Sequence, residues 1–281
     1  MKKLVGLLVI LLLSLSFAQD LGGATIVVGS DTTYPPFETV NDAGEIVGFD
    51  VDVVNAICER VNCQADFQTY AWDGLVAAIG AGQFQDFDMI ASGVTITEER
   101  DETADFSEPY ILVQQAIATT VANEEMTAED FTAEDSELLL GSQLGTTNYN
   151  LALELVGDDR VVSYDDFNSA VQALLQGDVD GVILDDITAA AFEEQYAGEL
   201  VVNIRGLSDG EPLGFVFQPG DELLDAFNAG LAMIQEDGTL DELRAQYNLG
   251  TSEAGGDETG GSEMESSETG GSETGGSESG Q

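Results

Sequence analysis

Short apolar runs alternate with helix-like repeats along the first half of the chain. The run "ATIVVGS" is apolar, ends in turn residues and predicts a strand. After it, Val51, Val54, Ile57 and Val61 recur at helical spacing, which predicts a helix with Asp50 as its N-cap. "WDGLVAAIGAG" then predicts a helix closed by glycine, and "FDMIASG" predicts the next strand.

The second half repeats this alternation. "LLLGSQLG", "VVSY" and "VDGVILDD" predict strands, while "DFNSAVQALLQG" and a segment from Thr146 or Thr147 to about Val156 predict helices. "ELVVNI" and "PLGFVFQ" predict further strands, and helices follow over about 221–236 and 239–247. "ILVQQAIATT" is strand-like and long enough to cross from one lobe of a two-lobed molecule to the other. Alternating strands and helices indicate an α/β architecture with largely parallel sheets. Ligands of such sheets bind beyond the carboxyl ends of the strands.

The two ends of the chain have compositions of their own. Residues 1–18 combine a basic start, an apolar stretch from Leu4 to Leu15 and a small-x-small site, the layout of a secretory signal peptide cleaved after Ala18. The alternative is a membrane anchor, but about 12 apolar residues are fewer than the roughly 20 that a spanning helix needs. Residues 250–281 are mostly Gly, Ser, Thr and acid, which predicts a disordered acidic tail rich in glycine and serine.

Charge narrows the range of partners. The chain has 54 acidic residues, seven basic ones and no histidine, for a formal net charge of −47. Both lysines lie in the leader, so scattered arginines are the only cations of the mature chain, and they are too few to bind nucleic acid or an anionic membrane surface. The sequence contains no cofactor motif and no metal-ligand set. Because salt or low pH relieves such self-repulsion, we expect a saline or acidic extracytoplasmic medium.

The first candidate binding residues follow the first strand and open the second helix. "GSDTTYPPFE" presents Asp31, Tyr34 and Phe37 on a loop that two prolines stiffen. The alternative is that these aromatic rings pack onto the core. Trp72, the only tryptophan, suits a flat wall for an apolar or cationic group, or a place in the core.

A rare cation, Arg100, lies in "SGVTITEER". A strand ends at Gly93, Thr95 follows, and Thr97 is placed to cap the helix that contains the arginine. Backbone amides at a helix start favour an anion, and an arginine there can hold a carboxylate with two hydrogen bonds. The alternative is a local ion pair with one of the two preceding glutamates, which contributes only about 0–1 kcal/mol when exposed.

Two junctions in the second half complement this one. Gly145, Thr146 and Thr147 form another strand-to-helix turn, whose amides can meet the same carboxylate. Asp185 and Asp186 end a buried strand, where a carboxylate can accept hydrogen bonds from an ammonium group; a helix N-cap is the alternative. An anion grip, an ammonium acceptor and aromatic walls together complement a zwitterionic α-amino acid.

Five segments carry a resemblance to a known family: "DTTYPPFE", "GFDVDVVNAICERV", "WDGLVAAIGAGQFQDFDMIASGVTITEERDETADFSEPY", "LGTTNYN" and "QALLQGDVDGVILDD". In order and spacing they resemble the periplasmic polar amino-acid binding proteins of ABC importers, solute-binding family 3, from about Ala24 to Leu249. The resemblance implies a type II periplasmic binding protein with two α/β lobes, 24–112 plus 210–249 and 113–209, joined by two crossing strands. It also implies delivery of an L-amino acid to the importer's membrane subunits, and we expect a monomer without a cofactor.

The resemblance assigns roles at both ends of the ligand. Arg100 is similar to the family arginine that grips the α-carboxylate, with Thr95 and Thr147 assisting. Asp185 is similar to the acceptor of the α-ammonium group, together with the Gly93 carbonyl and the Thr95 hydroxyl.

Other positions bear on the ligand side chain. Asp31, Tyr34 and Trp72 match positions that wall it, and Asp31 favours a basic side chain or glutamine over glutamate. Asp50 matches a position that sometimes touches basic side chains, although we expect it to be an N-cap. Asn148 is shorter than the amides familiar at its position.

Four residues at a helix end separate Cys58 from Cys63 and can bring them within disulfide reach, so in the oxidising compartment of an exported protein we expect a disulfide between them. Two small buried hydrophobic residues are the alternative, and some members of the resembled family have a disulfide here.

Two other functions suit the same fold. An enzyme, such as a dehydratase, would need a carboxylate of raised pKa as its general acid or base, because histidine is absent. A sensory or adhesion module would use the fold without transport.

Overall fold

The computed structural model describes residues 20–249, and the predicted signal peptide and acidic tail lie outside this range. The strands are Ala24–Ser30 (β1), Thr33–Tyr34 (β2), Glu38–Val40 (β3), Ile46–Val47 (β4), Cys63–Thr69 (β5), Met89–Ile90 (β6), Asp105–Phe106 (β7), Ile111–Val113 (β8), Gln115–Thr120 (β9), Leu140–Gln143 (β10), Val161–Tyr164 (β11), Gly181–Asp185 (β12), Leu200–Ile204 (β13), Glu211–Leu213 (β14) and Val216–Phe217 (β15). The helices are Phe49–Val61 (α1), Trp72–Ala81 (α2), Glu98–Asp101 (α3), Ala128–Thr132 (α4), Thr147–Val156 (α5), Phe167–Gln176 (α6), Asp186–Gln195 (α7), Leu223–Glu236 (α8) and Thr239–Gln246 (α9).

Two five-stranded sheets form the framework of the molecule. The first sheet has the order β5-β1-β6-β15-β7, and the second has the order β11-β10-β12-β9-β13. The first three strands of each order are parallel to one another, and antiparallel strands complete the sheet. This arrangement confirms the predicted α/β class with largely parallel pairing.

The chain passes between the two sheets through β8 and β14. These strands pair with each other as a separate antiparallel ribbon, with Ile111 opposite Leu213 and Val113 opposite Glu211. The segment predicted as one long crossing strand is therefore two strands, β8 and β9. The break falls at Gln114, whose backbone N–H donates to the Asp186 carboxylate and whose carbonyl accepts from the Asp186 N–H.

The prediction that Asp50 is the N-cap of helix α1 is wrong. The N-cap is Gly48, at φ 146°, and a Cβ there would lie 2.1 Å from the Phe37 carbonyl oxygen. Asp50 lies in the first turn and is fully buried. Its carboxylate accepts hydrogen bonds from the Gly93 N–H (3.0 Å) and the Tyr110 hydroxyl (2.7 Å), so it joins three separate segments and caps nothing.

A disulfide joins Cys58 to Cys63, which confirms the predicted pair. It ties the last turn of α1 to the first residue of β5, an edge strand of the first sheet. No helix within residues 20–249 is long and apolar enough to cross a membrane.

Few of the acidic residues are neutralised by a nearby cation. Among residues 20–249, ion pairs form at Arg60, Arg205 and Arg244 alone. Most carboxylates therefore repel one another through solvent.

We expect the melting temperature at neutral pH to rise by about 5 °C between 0.05 and 1 M NaCl, the shift that 1–2 kcal/mol produces in a domain of this size. The gain should shrink at pH 4, where many carboxylates are protonated. A melting temperature independent of salt at neutral pH would contradict the saline-medium hypothesis.

Candidate functional site

All eight predicted ligand-binding residues line one cavity. They are Asp31, Tyr34, Trp72, Gly93, Thr95, Arg100, Thr147 and Asp185, and the lining is completed by Ser92, Gln143, Thr146, Asn148 and Phe167. The lining comes from the carboxyl ends of strands and the segments after them, at β1, β5 and β6 of the first sheet and at β10, β11 and β12 of the second. The cavity thus lies beyond the carboxyl ends of strands in both sheets, as α/β folds place their ligands.

Asp31 is held by three neighbours. Its backbone N–H donates to the Ser92 hydroxyl (2.9 Å), and its carboxylate accepts from the Thr33 hydroxyl (2.9 Å) and from Gln143 Nε2 (2.8 Å). Burial raises the pKa of Asp31, and the bonds from Gln143 and Thr33 oppose that rise. The bond to Gln143 spans the cavity, because Gln143 ends β10 of the second sheet.

Tyr34 is both a core residue and a cavity residue. Its ring stacks on Phe37 (5.3 Å between centroids) and on Phe167 of α6 (5.4 Å). Its hydroxyl donates a short hydrogen bond to the Asp185 carboxylate across the cavity. Phe37, by contrast, is fully buried and belongs to the core.

Gly93 must be glycine to leave room for Tyr34. The residue has φ +54°, and a Cβ would lie 2.6 Å from Tyr34 Cε1. A side chain here would therefore displace the ring that carries the hydroxyl bonded to Asp185.

Trp72 begins α2 and faces Arg100. The guanidinium carbon of Arg100 is 5.7 Å from the centre of a tryptophan ring, within the range of a cation–π contact. The indole N–H is buried and has no hydrogen-bond acceptor within residues 20–249. Trp72 is thus a wall of the cavity with a donor that residues 20–249 leave unused.

Arg100 does not form the local ion pair that was its alternative interpretation. Its two terminal nitrogens donate to the carbonyl oxygens of Thr95 (2.8 Å) and Gly145 (3.3 Å), and none of the ion pairs between residues 20 and 249 involves it. As predicted, Thr97 caps the helix, by accepting from the Arg100 N–H. Burial lowers the pKa of Arg100 from its very high ordinary value. A half-buried guanidinium without a carboxylate partner in residues 20–249 is suited to an anionic ligand.

Asp185 ends β12 and occupies the N-cap position of α7 without capping it. Its carboxylate instead accepts from the Tyr34 hydroxyl and from Asn148 Nδ2 (2.8 Å). Burial raises the pKa of Asp185 to about 6, and these two hydrogen bonds limit the rise. The capping interpretation is therefore wrong, and the short amide of Asn148 serves to orient Asp185.

Five lining residues lie outside the predicted set, and two of them had a usable signal. Gln143 directly ends β10, just as Asp31 directly follows β1, and strand ends are where α/β sites form. Phe167 begins α6 immediately after the capping residue Asp166, in a position equivalent to that of Trp72. The remaining three are Ser92, Thr146 and Asn148, which adjoin predicted residues along the chain.

Comparison with known proteins identifies the family. Residues 26–250 match the bacterial extracellular solute-binding proteins, family 3. The chain belongs to this family. The ABC transporter arginine-binding protein 1 of Escherichia coli K12 is 32% identical over 253 residues, which cover 88% of this chain and 99% of that protein.

Solved structures agree with this assignment. An ancestral arginine-binding protein, bound to glutamine in one structure and to arginine in another, gives a TM-score of 0.72 at 32% identity, covering 79% of this chain and 97% of that one. The ancestral amino acid-binding protein AncCDT-1, a precursor of cyclohexadienyl dehydratase, gives 0.70 at 32% identity, covering 79% and 95%. These likenesses confirm the predicted type II fold of two lobes joined by crossing strands.

Proposed function

We propose that this family 3 protein captures a free L-amino acid with a basic side chain, or glutamine, outside the cytoplasm and delivers it to an ABC importer. The observation that carries the proposal is the half-buried guanidinium of Arg100, which has no carboxylate partner in residues 20–249. It shares one cavity with the buried carboxylate of Asp185. A zwitterion satisfies both groups at once.

In this proposal the backbone of the ligand lies between opposite charges. Arg100 holds the α-carboxylate, assisted by Thr95 and Thr147, whose hydroxyl oxygens are 3.4 Å apart across the cavity. Asp185 accepts from the α-ammonium group, together with the Gly93 carbonyl and the Thr95 hydroxyl. Glycine at position 93 keeps the ammonium site next to Tyr34.

The side-chain end of the site is rich in acceptors. Asp31, Tyr34 and Trp72 line this end, and Gln143 adds a preference for ligand groups that donate hydrogen bonds. Both N–H bonds of the Gln143 amide are used within the protein, by Asp31 and by the Asp165 carbonyl (3.0 Å), so only its oxygen remains for the ligand. A guanidinium or ammonium group offers donors alone and matches the oxygens of Asp31 and Gln143, whereas the amide oxygen of glutamine would depend on the indole N–H of Trp72 for a donor.

Lobe closure follows from contacts that both lobes make with the same ligand. We propose the lobe boundaries 24–112 plus 210–249 and 113–209, because the chain crosses between the sheets at β8 and β14. Asp31–Gln143 and Tyr34–Asp185 already join groups of the two lobes. A ligand that contacts both sides stabilises the closed form more than the open one and shifts the population toward it.

The remaining parts of the proposal concern export, assembly and catalysis. We infer that residues 1–18 direct export and are cleaved after Ala18, and that the mature protein acts as a monomer toward the membrane subunits. We propose binding without turnover. An enzyme of the same fold would convert the bound amino acid, which mass spectrometry of the ligand after incubation would detect.

A thermal-shift scan of the purified mature protein against the L-amino acids tests the function. A ligand at 100 times its Kd should add about 2.7 kcal/mol of stability, or about 5–10 °C in melting temperature for a domain of this size. We expect the largest shifts with L-arginine, L-lysine or L-histidine, a smaller one with L-glutamine and none with L-glutamate. Because a tightly held amino acid can survive purification, the protein is first unfolded and refolded. No shift with any amino acid would refute the proposal.

Asp31→Asn is the matched variant for the side-chain preference. It removes one negative charge and leaves Arg100 and Asp185 unchanged. The shift with L-arginine should fall while that with L-glutamine is retained. Equal losses of the thermal shift for both ligands would show that Asp31 does not distinguish between their side chains.

A further inference from the structure

A buried pair of carboxyl groups, Glu38 and Asp50, lies behind the wall of the cavity. Glu38 begins β3, Asp50 lies in the first turn of α1, and both are fully buried. Neither forms an ion pair within the part of the chain that the structure covers. Two acidic groups that are buried without a cation destabilise the fold if both are ionised. At least one of the two is therefore expected to hold a proton.

The pair holds two consecutive residues of the cavity lining. The Ser92 hydroxyl donates to Glu38 Oε1 (2.8 Å), and the Gly93 N–H donates to Asp50 Oδ2 (3.0 Å). Ser92 in turn accepts from the Asp31 N–H (2.9 Å), so one hydrogen-bond chain connects Glu38 to Asp31. These contacts set the turn after β6 that leads to Thr95.

Hydrogen bonding distinguishes the two carboxyl groups. Both Asp50 oxygens accept hydrogen bonds, from Gly93 and Tyr110, as a carboxylate does. Glu38 accepts from Ser92 alone, and its Oε2 has no partner within residues 20–249. The proton of the pair therefore belongs on Glu38.

We propose that Glu38 and Asp50 are positioning residues of the amino-acid site: with Glu38 protonated and Asp50 ionised, they fix the Ser92–Gly93 turn for ligand binding. Loss of this proton leaves two buried negative charges without a cation and loosens the turn. Affinity and stability then fall together as pH rises. This inference rests on the proposed function only for its effect on affinity.

The electrostatic surroundings agree with this assignment. Burial, followed by the charge of Asp50, raises the pKa of Glu38 well above its usual range, whereas the rise that burial causes in the pKa of Asp50 is limited by hydrogen bonds from the Gly93 N–H and the Tyr110 hydroxyl. The other titratable groups that face the pair are Asp31, Tyr34 and Tyr110. None of them is a cation, so nothing in this cluster offsets a second negative charge.

The direction of the pH effect follows from the raised pKa. The folded protein holds the Glu38 proton at pH values where the unfolded chain has lost it, so unfolding releases a proton. Stability from this group is complete below about pH 4.5, the value of an exposed glutamate. It is lost as pH rises toward the folded pKa.

Glu38→Gln tests the proposal, because glutamine mimics the protonated acid and cannot ionise. We expect its melting temperature to exceed that of the wild type by a margin that grows between pH 5 and 8.5. The Kd of the wild type for L-arginine, divided by that of the variant, should rise about tenfold between pH 6 and 8.5, because only the wild type can lose the Glu38 proton that fixes the turn. The titration of L-arginine itself cancels in this ratio. Glu236→Gln, at an exposed helix end, is the matched control and should follow the wild type.

Ser92→Ala provides a second variant that keeps both acids. It breaks the link between Glu38 and Asp31, so the pH dependence of the Kd should shrink while that of the melting temperature remains. Parallel pH profiles for wild type, Glu38→Gln and Ser92→Ala would overturn the proposal. If L-arginine does not bind at pH 6, the proposed function fails for that ligand, and the melting profiles without ligand still decide whether the pair holds its proton.

Discussion

Arg100→Ala is expected to abolish amino-acid binding in any ordinary assay. Removing one partner of a buried, hydrogen-bonded charge pair costs about 2–5 kcal/mol, or roughly 30- to 4,000-fold in Kd. Here the loss lies at the top of that range, because no other cation lines the cavity. Isothermal titration with L-arginine would measure it.

Two further variants, Arg100→Lys and Arg205→Ala, test whether the loss of affinity is specific to the guanidinium group of Arg100. A lysine keeps the charge but loses the paired geometry, so it should recover only part of the affinity. Arg205 is half-exposed and pairs with Glu193, and neither residue lines the cavity, so its replacement should leave the Kd unchanged. Near wild-type affinity in Arg100→Ala would remove the basis of the proposed carboxylate grip.

Acidification should release the ligand through Asp185. The pKa of this buried carboxyl is about 6 in the protein without ligand, and only its ionised form attracts an ammonium group. The contribution of Asp185 to the affinity should therefore be complete above pH 7, and the affinity should fall about tenfold for each pH unit below 6. Asp185→Asn should bind weakly throughout, with no acid limb in its profile. Calorimetric Kd values between pH 4.5 and 7.5 would establish both.

Two control variants separate Asp185 from other acids. Asp31→Asn removes the other cavity carboxylate with a raised pKa, and it should weaken binding of L-arginine yet keep the acid limb. Asp42→Asn changes an exposed loop residue and should have no effect. An acid limb that survives in Asp185→Asn would assign the titration to a different group.

Strand and helix patterns were predictable wherever one face is apolar. Helix α6 shows this, since its buried residues recur at helical spacing and glycine ends it. Helix α7 was missed because two of its three buried residues, Thr188 and Ala189, are small and look unremarkable in sequence. Strand β5 was missed because it lies at a sheet edge and is mostly polar.

The site was predictable to the extent that its residues follow strand ends. Arg100 was recognisable because a cation is rare in this chain, and Asp185 because it ends an apolar run. The role of Asp50 could not be predicted from local sequence. Local sequence suggests an N-cap, but its partners Gly93 and Tyr110 are 43 and 60 positions away, and only tertiary packing brings them together.

The order of strands in the two sheets also determines when each can be completed. All five strands of the second sheet lie between residues 115 and 204, whereas the first sheet needs β15, residues 216–217, between β6 and β7. A chain made from its N-terminus therefore contains the whole inserted unit before the outer unit has its last strand. Contacts between distant segments form late in folding, because closing a long loop is entropically costly. The amino-acid cavity, which needs both units, is consequently among the last features of the molecule to assemble.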